Sequence, residues 1–345
     1  MTLLLLILVL GITVFIHELG HFIFAKKAGI YVYEFSIGMG PRIFKYKRKN
    51  DETDYSIRLF PIGGFVSMAG EDIEIDKNIP EEKQMYSKTW MQKFLTIIAG
   101  VMFNFLLAII LLFIIGLVNG VPENKNYINE VDSNYPIAET NIKKNDLITK
   151  INGKRVRSQD MLLLELTVKS GKTLTFTVRH EDGTVEDIKV KPLKQTVDGT
   201  ETYKYGFSLQ SKIERGIIPS IKYAFSKTFS LINQMFHIIL YLITGNLSLD
   251  SLSGPVGIYN IVGESAKAGI LNIIYLIAYL CINVGFINLI PFPAFDGGRL
   301  LFLVIEKIKG SKINPKVENT IHSIGFILLM ILMIVITYND IIRLF

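Results

Sequence analysis

The sequence predicts a mainly α-helical membrane protein with four transmembrane helices, a β-rich segment after the first helix and a β-rich domain inserted after the second. Half of the 345 residues are hydrophobic, a larger share than an ordinary soluble chain of this size needs. The apolar residues are gathered in runs near the 20 residues that cross a hydrocarbon core of about 30 Å. Polar stretches separate these runs, and one of them, residues 119–210, is long enough for a domain.

Changes in composition set the predicted segment boundaries. The first apolar run has no basic leading segment and no small-x-small cleavage site, so it is expected to be retained as a span rather than removed as a signal peptide. The predicted segments are 1–25 (first transmembrane helix), 26–93 (β-rich loop and linker), 94–118 (second transmembrane helix), 119–210 (β-rich domain), 211–268 (interfacial amphipathic helix and re-entrant segment), 269–300 (third transmembrane helix), 301–321 (loop) and 322–343 (fourth transmembrane helix).

Lysine and arginine residues predict the orientation of the chain in a cell membrane. The net charge is +6, and positive loops beside spans account for it without a nucleic-acid partner. The first run is followed by a basic stretch that includes Lys26, Lys27 and Arg42, and the third by Arg299 and Lys307. By the positive-inside rule these segments are cytoplasmic and residues 119–210 are extracytoplasmic.

Both β-rich segments show strand and turn signals. Glycine and proline clusters at 38–41 and 61–64 separate short strands at 31–37, 42–46, 55–59 and 65–68, which predicts a small membrane-associated sheet on the cytoplasmic side. Its unpaired edge can hold an extended substrate by strand addition, or the sheet can be a plain stabilising hairpin. Strands are also expected at 127–131, 146–151, 173–178 and 185–190, with a hairpin turn at 180–183 and a helix at 160–169.

Three ionisable residues, His17, Glu18 and His21, interrupt the first apolar run. Residues four apart in a helix lie on one face, so both imidazoles can bind the same cation. This is the H-E-x-x-H arrangement, in which zinc takes both histidines and the glutamate acts on water. A buried structural histidine is the alternative, but an ionisable group at membrane depth costs at least about 2.5 kcal/mol and persists mainly where it functions.

Asp296 is the predicted third ligand. A catalytic zinc site needs three protein ligands and an open position, and the first run supplies two. Asp296 is the single carboxylate of the segment 288–299, where two prolines break the end of the third run. The topology brings His17, about 22 Å along its helix from Thr2, to the same cytoplasmic depth as Asp296. A helix cap or a turn residue is the alternative role.

Other polar residues in apolar surroundings carry weaker signals. For Asn104, inside the second run, a hydrogen bond between helices is favoured over a role at the metal. His237 has no ligand at a useful spacing, and His322 is interpreted as an interfacial residue.

The combination of these motifs resembles the bacterial site-2 proteases. The residues that carry the resemblance are His17-Glu18-Leu19-Gly20-His21, Gly38-Met39-Gly40-Pro41, Pro61-Ile62-Gly63-Gly64-Phe65, Leu252-Ser253-Gly254-Pro255-Val256-Gly257 and Asn288 through Gly298. The segments 131–138 and 145–156 resemble a PDZ domain, which binds peptides by strand addition or acts here as a steric filter.

The resemblance implies an intramembrane zinc metalloprotease of regulated intramembrane proteolysis. It implies Zn²⁺ held by His17, His21 and Asp296, Glu18 as general base, and Asn288 as the residue that positions substrate. The implied substrates are single-pass membrane proteins such as anti-sigma factors, or signal-peptide remnants. Two alternatives stay open: a membrane adaptor that works through its PDZ-like domain with a non-catalytic metal, and a metal carrier.

Overall fold

The computed structural model describes residues 1–71, 76–122, 124–197, 200–210, 213–248 and 251–342. Internal contacts divide the chain into two compact units. The first, unit 1, comprises Met1–Leu111 together with Leu249–Phe345, and the second, unit 2, comprises Leu112–Ser248.

The described residues form eight α-helices. They are α1 (Thr2–Lys27), α2 (Trp90–Asn119), α3 (Gln159–Val168), α4 (Ile217–Ile243), α5 (Pro255–Lys267), α6 (Ile270–Leu289), α7 (Asp296–Lys309) and α8 (Pro315–Ile342). Short 3₁₀ turns lie at Glu81–Lys83, Met85–Ser87 and Pro136–Glu139. Four helices are long and apolar enough to cross a membrane, namely α1, α2, α6 and most of α8. The number of these candidate helices agrees with the four predicted spans.

The end of the third predicted span differs from the expectation. Helix α6 ends at Leu289, and α7 begins at Asp296 and continues to Lys309, through residues that were expected to form part of a loop. Pro291 and Pro293 stop α6 because proline lacks the backbone N–H that a continuing helix needs. Gly310, with φ of 73°, ends α7 in the left-handed conformation that favours glycine.

In unit 1, two long strands take the place of four short ones. Strands β1 (Val32–Lys47) and β2 (Asp54–Met68) pair with each other, and Ile37 is opposite both Gly64 and Ile57. The strands bend at the glycines instead of ending there, since Gly38 and Gly63 both have φ of 88°. Residues 34–37 consequently have partners on both sides, and residues 64–68 form an outer edge of the sheet.

Unit 2 contains a small β-rich fold. Its strands are β3 (Val121–Pro122), β4 (Ile128–Val131), β5 (Leu147–Ile151), β6 (Lys154–Arg155), β7 (Leu174–Arg179), β8 (Val185–Val190), β9 (Leu193–Val197), β10 (Thr200–Lys204), β11 (Phe207–Leu209) and β12 (Ile213–Glu214). Four of them form a sheet in the order β6-β5-β7-β8, and β9 pairs with β10, β4 with β11 and β3 with β12. The core combines aliphatic side chains with the aromatic residues Phe176, Tyr135 and Tyr205. The hairpin at 180–183 is confirmed by pairing of Arg179 with Val185.

Helix α4 has two different faces. Small and apolar side chains on one face are buried, among them Ser220, Ala224 and Leu231. Lys227 on this helix lies 2.5 Å from a carboxylate oxygen of Asp160 on α3. The opposite face exposes large apolar side chains at Ile217, Ile218, Ile221, Phe225, Phe229, Phe236, Leu240 and Ile243. The predicted amphipathic character of residues 213–245 is thus present in α4.

Candidate metal centre

The candidate ligands come from two helices of unit 1. His17 and His21 lie one turn apart on α1 and are 7% and 8% exposed. Asp296 is the first residue of α7, directly after the break at the end of α6. Gly297 makes that break possible, because a Cβ at this position would overlap the carbonyl oxygens of Ile290 and Leu289. The loop can therefore fold tightly enough to turn Asp296 toward α1.

The three side chains converge on one point. Asp296 Oδ2 lies 3.1 Å from His17 Nε2 and 3.3 Å from His21 Nε2, and the two Nε2 atoms are 3.2 Å apart. A tetrahedral zinc ion with ligand bonds of about 2.0 Å would set its ligands about 3.3 Å apart. Asp296 Oδ2 is buried and accepts no hydrogen bond from any described residue. Two imidazoles and a carboxylate with this spacing fit zinc and leave a fourth position open.

The site opens into a cavity of about 570 Å³. Glu18 and Asn288 line it together with the three candidate ligands, so every residue predicted for the site borders the same space. Glu18 lies close to β2, since a Cβ on Gly64 would be 3.6 Å from Glu18 Cγ. Residues 63–68 of β2 form another part of the lining.

Helix α2 holds both imidazole rings. His21 Nδ1 donates a hydrogen bond of 2.8 Å to the Thr96 carbonyl oxygen, and Asn104 Nδ2 lies 3.3 Å from His17 Nδ1. A side chain at Gly100 would overlap both rings. Asn104 does form a hydrogen bond between two helices, as expected, but its partner on α1 is the candidate ligand His17. Thr96 and Gly100 were not predicted, although small or polar residues at a spacing of four, namely 96, 100 and 104, were a usable signal.

Two further contacts shape the surroundings of the site. Arg299 forms an ion pair with Glu71, and both residues line the cavity. His322 Nδ1 accepts a hydrogen bond of 3.2 Å from the Ala294 N–H, which ties α8 to the loop before Asp296. His322 therefore supports the loop and is not one of the three clustered ligands. His237 lies in unit 2, with Nδ1 2.8 Å from the Asn233 carbonyl oxygen.

A family model described as Peptidase family M50 matches residues 5–332. The chain belongs to peptidase family M50. "Regulator of sigma-W protease RasP" of Bacillus subtilis is 34% identical, with 98% of each chain covered. "Putative zinc metalloprotease CPE1693" of Clostridium perfringens is 34% identical, with 95% of each covered. "Probable protease eep" of Enterococcus faecalis is also 34% identical, with 98% of each covered.

These findings confirm the resemblance to the site-2 proteases and the prediction of a zinc metalloprotease. Zinc is the cofactor of this M50 protein, in agreement with the cluster of His17, His21 and Asp296. The apolar helices and the relatives also agree with a multi-pass membrane protein.

Proposed function

We propose that this M50 protein hydrolyses peptide bonds within the transmembrane segments of single-pass membrane proteins. One observation carries the proposal: His17, His21 and Asp296 converge beside Glu18 in a cavity of a unit built from apolar helices. The three clustered residues serve as zinc ligands and Glu18 as the general base. When bound, zinc supplies Lewis acidity, which polarises the scissile carbonyl and makes water more acidic.

Glu18 carries out the proton transfers, and Asn288 helps to hold the substrate. Glu18 takes a proton from the attacking water and delivers it to the leaving nitrogen, which is the work of a general base that becomes a general acid. Asn288 lies in the lining of the same cavity and offers an amide that can hold a substrate carbonyl. The surrounding apolar helices limit the access of bulk water to these groups.

A transmembrane substrate helix must unwind before its peptide bonds can be attacked, because its backbone groups are hydrogen-bonded within the helix. The outer edge of β2 suits the unwound segment. Within the described residues, 64–68 pair on one side only, with 32–37. The same stretch borders the cavity. Addition of an extended substrate strand to this edge would therefore place its backbone beside Glu18.

Sidedness follows from the basic segments. The metal centre lies toward the cytoplasmic side, the PDZ-like domain at 119–210 lies outside, and the exposed apolar face of α4 lies at the lipid interface. A cysteine introduced at an exposed position tests this arrangement, because the chain's own Cys281 is buried. A membrane-impermeant maleimide applied to intact cells should label Lys144→Cys and should leave Lys49→Cys unlabelled until the cells are permeabilised. The reverse pattern would contradict the proposed orientation.

The substrate class comes from the name of a relative. The Bacillus subtilis protein is called "Regulator of sigma-W protease RasP", so membrane-anchored anti-sigma factors are the first class to test. Signal-peptide remnants are the second class. The PDZ-like domain takes a peptide ligand or limits the size of the substrates that enter.

The central experiment compares Glu18→Gln with the parental chain. Both proteins are purified whole, reconstituted in lipid and mixed with a single-span reporter. The variant should retain one zinc per chain, since Glu18 is not a ligand, while the cleavage rate falls at least about 100-fold because a general base is lost. The control is Glu264→Gln, which changes an exposed carboxylate of α5 and should cleave normally.

Cleavage by Glu18→Gln at the parental rate would reject the proposed role of this residue. A membrane adaptor would keep its activity in Glu18→Gln and lose it when residues 119–210 are deleted. A metal carrier would move zinc across the vesicle membrane without cutting the reporter.

A further inference from the structure

Helix α2 presents one stripe of small and polar groups to the two metal-binding imidazoles. Thr96, Gly100 and Asn104 are four residues apart and therefore share a helix face. Gly100 leaves room for the rings, because a Cβ there would lie within 2.8 Å of His17 Cε1. Thr96 and Asn104, on either side of Gly100, each contact the Nδ1 atom of one ring.

The backbone fixes the proton position on His21. A carbonyl oxygen only accepts hydrogen bonds, so the Nδ1 atom beside the Thr96 oxygen must carry the proton. The Nε2 atom of His21 then keeps its lone pair, and it is this atom that lies 3.3 Å from Asp296 Oδ2. One carbonyl group of α2 therefore makes His21 a metal ligand through Nε2.

His17 requires the same arrangement, since its Nε2 also faces Asp296, at 3.1 Å. Its Nδ1 must then carry a proton and needs an acceptor. Asn104 is completely buried, and its Oδ1 atom has no hydrogen-bond partner among the described residues. A half turn of the Asn104 amide exchanges Oδ1 and Nδ2, which satisfies the oxygen and lets it accept from His17 Nδ1–H.

We infer that Asn104 is the positioning residue of the metal centre: its side-chain oxygen accepts a hydrogen bond from His17 Nδ1 and so turns Nε2 toward the metal. The inference rests on the proposed metal-binding role of His17. It gives α2 a role beyond helix packing, because the Thr96 carbonyl of this helix orients His21 and the Asn104 side-chain amide orients His17. Groups that orient metal ligands typically change metal affinity by 10–100-fold when they are lost.

Two substitutions of Asn104 separate this role from packing. Asn104→Leu preserves an apolar, well-packed helix and removes the acceptor. Asn104→Asp supplies a group of the same shape that accepts from Nδ1–H, as carboxylates do in many zinc sites. The control is Asn283→Leu, which makes the same chemical change in α6, another membrane-spanning helix.

Zinc affinity of the whole purified chain, measured by competition with a chromophoric chelator, is the main readout. Asn104→Leu should bind zinc about 10–100-fold more weakly, while Asn104→Asp and Asn283→Leu should stay close to the parental affinity. Thermal unfolding without zinc checks that the variants fold. In ¹⁵N-histidine spectra of the zinc-loaded parental chain, His17 should show a protonated Nδ1.

Two results would overturn the inference. Parental zinc affinity in a folded Asn104→Leu variant would leave Asn104 with packing alone. A loss in Asn104→Asp as large as the loss in Asn104→Leu would mean that the amide donates to His17 rather than accepts. Because these readouts do not use proteolysis, a chain that binds zinc as described but cuts no reporter would refute the proposed function and leave this inference standing.

Discussion

Two buried carboxylates, Asp296 in unit 1 and Glu165 in unit 2, have opposite surroundings. Glu165 is completely buried, and the Nζ atoms of Lys154 and Lys169 lie 2.7 and 2.8 Å from its two oxygens. Tyr241 of α4 donates a further hydrogen bond to it. Asp296 Oδ2 faces the Nε2 atoms of His17 and His21, and it accepts no hydrogen bond from any described residue.

The comparison shows which buried acid can bind a metal. The charge of Glu165 is balanced by two lysines, and its hydrogen bond from Tyr241 fastens α3 to α4. The charge of Asp296 is balanced by no permanent cation within hydrogen-bond distance in the described structure, and two nitrogen lone pairs point the same way. A buried acid surrounded by lone pairs indicates a metal site, whereas one surrounded by lysine indicates a structural contact.

The largest expected effect is at Asp296. Asp296→Asn should lower zinc affinity by more than the 10–100-fold expected for a residue that only orients a ligand, and it should abolish cleavage of the reporter. Zinc content and chelator competition on the whole chain measure the change. Asp340→Asn is the matched control, because this buried acid of α8 accepts a hydrogen bond from the Gly257 N–H instead. Equal zinc loss in both variants would contradict the distinction.

A smaller effect, on stability alone, is expected at Glu165. Glu165→Gln leaves Lys154 and Lys169 without their counter-charge and should destabilise unit 2 by about 2–3 kcal/mol. Breaking a fully buried ion pair costs about 3–5 kcal/mol, but these lysine side chains are 32% and 23% exposed. Denaturant unfolding of the whole chain, followed by hydrogen exchange in α3 and α4, measures the loss. Zinc affinity should stay unchanged, and a fall in affinity would show that the two sites are coupled.

The smallest expected effect is a loss of stability of unit 2 as the pH falls. Burial raises the pKa of Glu165, but hydrogen bonds from Lys154, Lys169 and Tyr241 outweigh burial and hold this pKa below its usual value. A lowered pKa in the folded state stabilises fully above the unfolded value of about 4.3, and this stabilisation is lost as the pH falls through the folded pKa. Protection of α4 against hydrogen exchange should therefore decline below about pH 4. The Glu165→Gln variant should lack this decline, and an equal decline in both proteins would assign it to another group.

Local features of the chain were predictable, as the strands of unit 2 show. The alternation at residues 185–190 corresponds to β8 at the same bounds, and the helix expected at 160–169 is α3, shifted by one residue. The sheet of unit 1 was predicted less well. Glycine at 38 and 63 signalled strand ends, but both residues lie inside long bent strands, because a positive φ changes the direction of a strand without stopping its pairing.

The sequence by itself determined the four spans and the shared face of His17 and His21, because apolar run length and helical spacing are properties of neighbouring residues. It also offered Asp296 as a ligand, from the number of ligands that zinc requires. Only the tertiary structure decided that Asp296 approaches both imidazoles and that Thr96 and Asn104 contact their other nitrogens. It also decided that Glu165 pairs with two lysines. Asn104 and His17 are 87 positions apart, and a contact at that separation depends on how α1 packs against α2, which no local pattern records.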